Sequence, residues 1–154
     1  MKALVVSDTH GDLETLKKVI EREKDANIIF HLGDGQEEVK EIKKLYINKT
    51  IIDVCGNCDI GSNRPCIVEY NLNGNKILAT HGDLFKVKLG MTMLLDEAMK
   101  RNVDIVLYGH THVPVICEFN KIKFMNPGAL SYCYKTYGVI NYDDDEIKLN
   151  IVEF

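Results

Sequence analysis

The chain lacks most of what marks a membrane, secreted or nucleic-acid-coating protein. No run of 18 apolar residues occurs among its 154, so no membrane span is expected. Lysine and arginine (19) do not outnumber aspartate and glutamate (23). The resulting net charge of −4 argues against sequence-independent capture of nucleic acid through phosphates, while a small phosphate ester is still allowed. The N-terminal apolar run is short and meets Asp8, with no small-residue cleavage site after it, so no secretory leader is expected. The five cysteines (Cys55, Cys58, Cys66, Cys117 and Cys133) form an odd set, which points to reduced thiols and a cytoplasmic chain. No internal repeat, low-complexity tract or Pro/Gly/Ser-rich linker interrupts the sequence. Residues 1–154 are therefore expected to form one domain, long enough to bury about two-thirds of its unfolded surface without a disulfide or structural metal. Homo-oligomerisation is left open.

What is present alternates strand and helix, then turns mostly to strand. Lys2–Ser7, Asn27–Leu32 and Thr50–Cys55 read as apolar strands. Between them lie two amphipathic helices. The first is capped by Asp12 and carries Leu13, Leu16, Val19 and Ile20 on one face. The second runs Gln36–Leu45. This order implies a mostly parallel sheet. Asn73-Gly74 between Ile67–Leu72 and Lys76–Thr80 is a type I′ hairpin signal. A helix over Gly90–Arg101 follows, then strands Asp104–Tyr108, Val113–Phe119, Ile122–Met125, Tyr137–Tyr142 and Ile147–Val152, with turns at Asn120-Lys121 and Asp143–Asp145. So many strands with so few helices suggest two sheets face to face with helices outside: an α/β sandwich.

Polar signals collect immediately after these strands: Ser7-Asp8-Thr9-His10, Gly33-Asp34, Gly56-Asn57-Cys58-Asp59, Thr80-His81-Gly82 and Gly109-His110-Thr111-His112. Ligands of open α/β sheets bind beyond the carboxyl ends of the strands, so five strand ends would deliver their side chains to one edge. Only five histidines exist, and four of them lie in these clusters. Asp8 and His10, like His110 and His112, stand two apart, and extended spacing would point each pair to one side. His31, inside an apolar run, reads as a hydrogen-bonded core histidine. Imidazoles mixed with carboxylate and amide oxygens suit Mn, Fe, Zn, Ni or Co, whereas Mg and Ca prefer all-oxygen shells. Seven such groups exceed one ion but suit two sharing a carboxylate. The remaining positive character would fit an anionic phosphate. Cys55 and Cys58 have C-x-x-C spacing, which raises a thiol-redox reading. No second pair supports a zinc knuckle, and Cys55, ending an apolar strand, reads as core.

Together, Asp8-x-His10, Gly33-Asp34, Gly56-Asn57-x-Asp59, His81-Gly82 and Gly109-His110-x-His112 resemble the signature blocks of the calcineurin-like metallophosphoesterases. The short chain and Asn126-Pro127-Gly128 resemble the small YfcE-like phosphodiesterase branch, which also holds a eukaryotic retromer scaffold subunit. The resemblance implies a four-layer αββα sandwich of two mixed sheets flanked by helices, with a dinuclear metal site at the C-terminal ends of the strands. It implies two divalent ions, manganese first and nickel, iron, zinc or cobalt as alternatives. Asp8, His10, Asp34 and His112 would hold one ion; Asp34 as bridge, Asn57, His81 and His110 would hold the other. The implied reaction is in-line attack of a metal-bridging hydroxide on a small phosphodiester, with Asn57, Cys58, Asp59 and His81 at the reacting centre. Cys58 stands where most of the family has the histidine that contacts phosphate and protonates the leaving oxygen, and Asp59 is placed beside it to orient a side chain there. Asp83 and Ala129 also depart from residues frequent in the family, histidine and serine. The alternative is a non-catalytic scaffold of the retromer-subunit type. A scaffold is free to lose ligands, and none of the seven is missing.

Overall fold

The computed structural model describes residues 1–132, 135–143 and 146–154. Cys133 and the Asp144-Asp145 part of the last turn lie outside them. The first half runs β1 (Lys2–Val6), α1 (Leu13–Arg22), β2 (Ile28–His31), α2 (Gln36–Leu45) and β3 (Thr50–Asp53). There follow β4 (Ile67–Leu72), β5 (Asn75–Thr80), a short 3₁₀ turn over Asp83–Phe85, α3 (Thr92–Arg101) and β6 (Ile105–Leu107). The chain ends with β7 (Val115–Phe119), β8 (Ile122–Asn126), β9 (Thr136–Asp143) and β10 (Glu146–Glu153). Among the described residues no helix is long and apolar enough to cross a membrane.

Two five-stranded sheets form, ordered β10-β9-β1-β2-β3 and β4-β5-β6-β8-β7. Both are mixed. β1, β2 and β3 are parallel in the first, and β5, β6 and β8 in the second, with antiparallel strands at the flanks. The parallel strands end on one edge of each sheet, which is where the polar clusters follow.

Strand alternation explains why the central strands carry apolar residues on both faces. Ala3 and Val5 of β1, Ile28 and Phe30 of β2, Ile77 and Ala79 of β5, and Ile105 and Leu107 of β6 meet in the layer between the sheets. The intervening Leu4, Val6 and Ile29 face outward and are covered by Leu16, Val19 and Ile20 of α1 and Ile42 of α2. Leu78, Val106 and Phe124 are covered by Leu94 and Ala98 of α3. A strand buried on both faces has no polar side to show. Helix, sheet, sheet and helix therefore stack as four layers, as the sequence led us to expect.

The local signals act as read, with trimmed ends. Asp12 caps α1, accepting from the Thr15 N–H at 3.0 Å. Asn73 and Gly74 both have positive φ (49° and 88°), as a type I′ turn requires. α3 starts two residues later than expected, because Gly90 has φ 150° and Met91 becomes its N-cap. β7 starts at Val115 rather than Val113, after Pro114, which has no N–H to give a ladder.

Candidate metal centre

The strand-end clusters converge on the shared edge. Asp8 is fully buried. Its Oδ2 accepts from Ser7 Oγ at 2.5 Å and from the His110 backbone N–H at 3.2 Å. Its Oδ1 faces His112 Nε2 at 3.0 Å and His10 Nε2 at 3.6 Å. Asp34 Oδ1 accepts from the Cys58 N–H at 2.8 Å, leaving Oδ2 between His81 Nε2 at 3.4 Å and His10 Nε2 at 3.8 Å. The Asp34 carboxylate thus stands between a group made by Asp8, His10 and His112 and another around His81.

Around His81 lie Asn57 Oδ1 and His110 Nδ1, each 3.1 Å from Nε2. His81 Nδ1 donates to the Leu32 carbonyl at 2.7 Å, so Nε2 is the nitrogen left to face the site. Asn57 Oδ1 and Asp34 Oδ2 can only accept. A single proton on Nε2 could not serve Asn57, His110 and Asp34 together, whereas one cation could. Donor separations of 3.1–3.4 Å are those of neighbouring ligands on an ion with bonds of about 2.0–2.2 Å. The donor set therefore fits divalent metal.

The electrostatics agree. Burial alone would raise the Asp34 carboxyl, but the hydrogen bond and charge of His81 and the Cys58 N–H hold it far below the usual carboxylate range. Burial would lower His81, yet Asp34 and Asp8 outweigh it and raise its pKa. Burial and the neighbouring His81 lower His110. The pocket draws positive charge to its centre.

The backbone differs from the extended pairs expected of the sequence. Asp8, His10, Asp34, His110 and His112 all have φ between 41° and 67°. β1 ends at Val6 and β6 at Leu107, so strand alternation no longer applies where these residues begin. The left-handed conformation, costly for residues with a Cβ, is what turns each pair inward.

Asp59 has a different place from the one its neighbour suggested. Its carboxylate accepts from the backbone N–H groups of Asp34, Gly35, Gln36 and Gly56 at 2.8–3.0 Å. It clamps the β2–α2 loop to the β3 loop instead of orienting the side chain at position 58. Cys58 is exposed, and its thiol lies within reach of His10 and Asp34. Burial and Asp34 raise the pKa of that thiol. Cys55 is a free thiol whose hydrogen-bond partner is Cys66, Sγ to Sγ 3.0 Å. His31 is buried and hydrogen-bonded: Nδ1 accepts from the Gly33 N–H at 3.3 Å and Nε2 meets Thr9 Oγ1 at 3.1 Å.

Two supports had no signal strong enough to be assigned from sequence. Fully buried Asn126 donates through Nδ2 to the Gly109 carbonyl at 2.8 Å and to Thr111 Oγ1 at 3.0 Å, holding the loop that carries His110. Ser7 orients Asp8, as described above. The adjacency of Ser7 and Asp8 was visible in the sequence; the reach of Asn126 across to the β6 loop was not.

This two-sheet fold with mixed imidazole and carboxylate donors at its edge defines an α/β sandwich with a candidate metal site. The profile of the calcineurin-like phosphoesterase superfamily domain matches residues 1–145, and the chain belongs to that superfamily. A phosphodiesterase of Methanocaldococcus jannaschii is 31% identical over 99% of this chain and its own full length. Phosphodiesterase YfcE of Escherichia coli is 30% identical over 85% of this chain and 80% of its own. Among solved structures, a conserved Streptococcus pneumoniae protein described as a predicted phosphoesterase superposes with TM-score 0.84 at 31% identity, over 99% of this chain and 88% of its own. Vacuolar protein sorting 29 of Cryptosporidium parvum shares the fold, with TM-score 0.76 at 20% identity over 99% and 97%.

Proposed function

We propose that the chain is a phosphodiesterase that holds two divalent ions, manganese foremost, and hydrolyses a small phosphodiester. The observation that carries this is the convergence of Asn57 Oδ1, His81 Nε2, His110 Nδ1 and Asp34 Oδ2 with no proton able to satisfy them all. Asp8, His10 and His112 with Asp34 would hold one ion, and Asn57, His81 and His110 with Asp34 the other. Bound there, such ions supply Lewis acidity toward phosphate oxygens and a water acidic enough to act as nucleophile near neutral pH.

The protein's own part is positional. Ser7 and the His110 N–H hold the Asp8 carboxylate, and the Leu32 carbonyl fixes the His81 tautomer. Cys58 borders the site without a positive charge, which no thiol can carry, and its raised pKa keeps it from becoming a thiolate. It offers neither a cation for a dianionic monoester nor a good proton donor for an alkoxide, which favours diesters with stable leaving groups. The scaffold alternative rests on likeness of fold to vacuolar protein sorting 29, and a complete ligand set weighs against it.

The test is elemental analysis together with hydrolysis of bis(p-nitrophenyl) phosphate. Chelation should abolish hydrolysis and Mn²⁺ restore it. Asp34→Asn should remove activity and drop metal content below one ion per chain. Activity indifferent to chelator, or two tightly held ions in Asp34→Asn, would sink the assignment.

A further inference from the structure

Tyr132 lies on the loop after β8, beside the metal centre, and neither the ligand set nor the fold accounts for it. Its ring centroid is 4.8 Å from that of His112, with the planes 30° apart, and 6.0 Å from that of His10. The loop is anchored immediately before it: Leu130 is fully buried, and Ser131 Oγ donates to the Asp8 carbonyl at 2.7 Å. Yet Tyr132 itself is 53% exposed. Packing against His10, itself exposed, and half-buried His112 does not cover the Tyr132 ring. The ring is pinned at its base and leaves much of its aromatic surface open at the rim. His10 also lines a polar cleft of about 200 Å³ with Asp34, Gln36, Glu37, Glu38 and Cys58 among others. A phosphodiester has two ester arms, and beside His10 the chain offers both an aromatic ring and a polar cleft.

We propose that Tyr132 is a stacking platform for a planar aromatic group on one ester arm, so that the substrate class is phosphodiesters with an aryl or nucleobase-bearing arm. This rests on the phosphodiesterase reading above. Aromatic pairs contribute about two- to tenfold in binding beyond area burial, which sets the size of the effect.

The experiment compares the Mn²⁺-loaded wild type with Tyr132→Ala and Tyr132→Phe. Dissociation constants are measured by titration calorimetry for three non-hydrolysable ligands: methylphosphonate, phenylphosphonate and the phosphonate analogue of adenosine 5′-monophosphate. Tyr132→Ala should weaken at least one aromatic ligand about fivefold or more relative to methylphosphonate, and Tyr132→Phe should keep the wild-type ratio. The aromatic ligand that loses more tells whether the ring is carried directly on the phosphoryl group or a sugar away. Equal losses on all three ligands would make Tyr132 a prop for His112 and overturn the proposal, as would no loss at all. Hydrolysis of bis(p-nitrophenyl) phosphate by the same wild-type preparation separates the two levels. If Mn²⁺ supports none, the phosphodiesterase reading falls and takes this with it. If hydrolysis is present but the aromatic preference is unmoved, only Tyr132's role falls.

Discussion

A single atom type decides much at position 58. The Cys58 thiol occupies a place within reach of both Asp34 and His10, and burial and Asp34 raise its pKa. A positioned general acid contributes about 10²–10⁴-fold when its pKa suits the working pH. This thiol holds its proton too tightly for that, and it hydrogen-bonds weakly. Cys58→His would place an imidazole against the same two groups, able to carry a positive charge toward phosphate. The ratio of kcat/KM for p-nitrophenyl phosphate to that for bis(p-nitrophenyl) phosphate should rise about tenfold or more, while Cys58→Ser should leave it within about twofold. An unchanged ratio in a folded, metal-replete Cys58→His protein would show that this residue does not set the preference. The expectation that Asp59 would orient such an imidazole gives way to what the structure shows: its oxygens already face four backbone N–H groups.

At the scale of elements, the loops that follow the strands are interlocked rather than merely adjacent. Gly56 lies so close to the β2 loop that an added Cβ would stand 2.1 Å from Asp34 Oδ1 and 2.6 Å from its backbone nitrogen. Gly109 is similar, with Ser7 Oγ at 2.0 Å from such a Cβ. Asp59 closes the arrangement from the other side. Replacing Asp59 with Asn turns one acceptor into an NH₂ group aimed at backbone N–H donors. Hydrogen bonds to charged groups contribute about 1.5–3 kcal/mol each, so Asp59→Asn should destabilise the metal-free chain by about 2–4 kcal/mol. Urea denaturation measures this, with Asp143→Asn at the exposed last position of β9 as a control expected within about 0.5 kcal/mol. A small effect for Asp59→Asn would mean the loops hold their places without the clamp.

These loops also mark where sequence reading succeeds and stops. The metal-side residues were legible because each follows its own apolar strand within five positions, so locating the strand locates the residue. The layer order was legible for a related reason: β1, β2 and β6 are apolar on both faces, which only a strand covered on both sides can be. The inward turn of Asp8, His10, His110 and His112 was not legible, because alternation governs residues inside strands and these lie past the ends. Nor were the roles of Asn126, Asp59 and Tyr132. Apart from Gly56 beside Asp59, their partners are 15 to 25 residues away or more (Tyr132 meets His10 and His112), and no local pattern encodes contacts made by sheet pairing.

For the whole molecule, the metal centre is a source of strain that the sandwich must contain. Five non-glycine residues in left-handed backbone cost on the order of 1 kcal/mol or more each. The crowding of Asn57 Oδ1, Asp34 Oδ2 and His110 Nδ1 within 3.4 Å of His81 Nε2 adds to it. The fold tolerates this because the rest of both sheets is packed on both faces, and the strained residues sit at the edge where the ladders end. A cation that binds the folded chain and not the unfolded one should relieve the cost directly. At a free concentration one hundred times its dissociation constant, one ion adds about 2.7 kcal/mol. For a domain of this length that corresponds to a rise of about 5–10 °C in Tm per ion. Thermal unfolding in chelator and in Mn²⁺ should therefore differ by at least this much. Mg²⁺ should give less, since imidazole donors suit it poorly. Asp34→Asn, which weakens the carboxylate shared by both groups, should lose more than half of the Mn²⁺ increment while still folding in chelator, because Asn keeps the oxygen that accepts from the Cys58 N–H. A Tm indifferent to Mn²⁺ would mean that the left-handed turns at the sheet edge were not shaped around a cation.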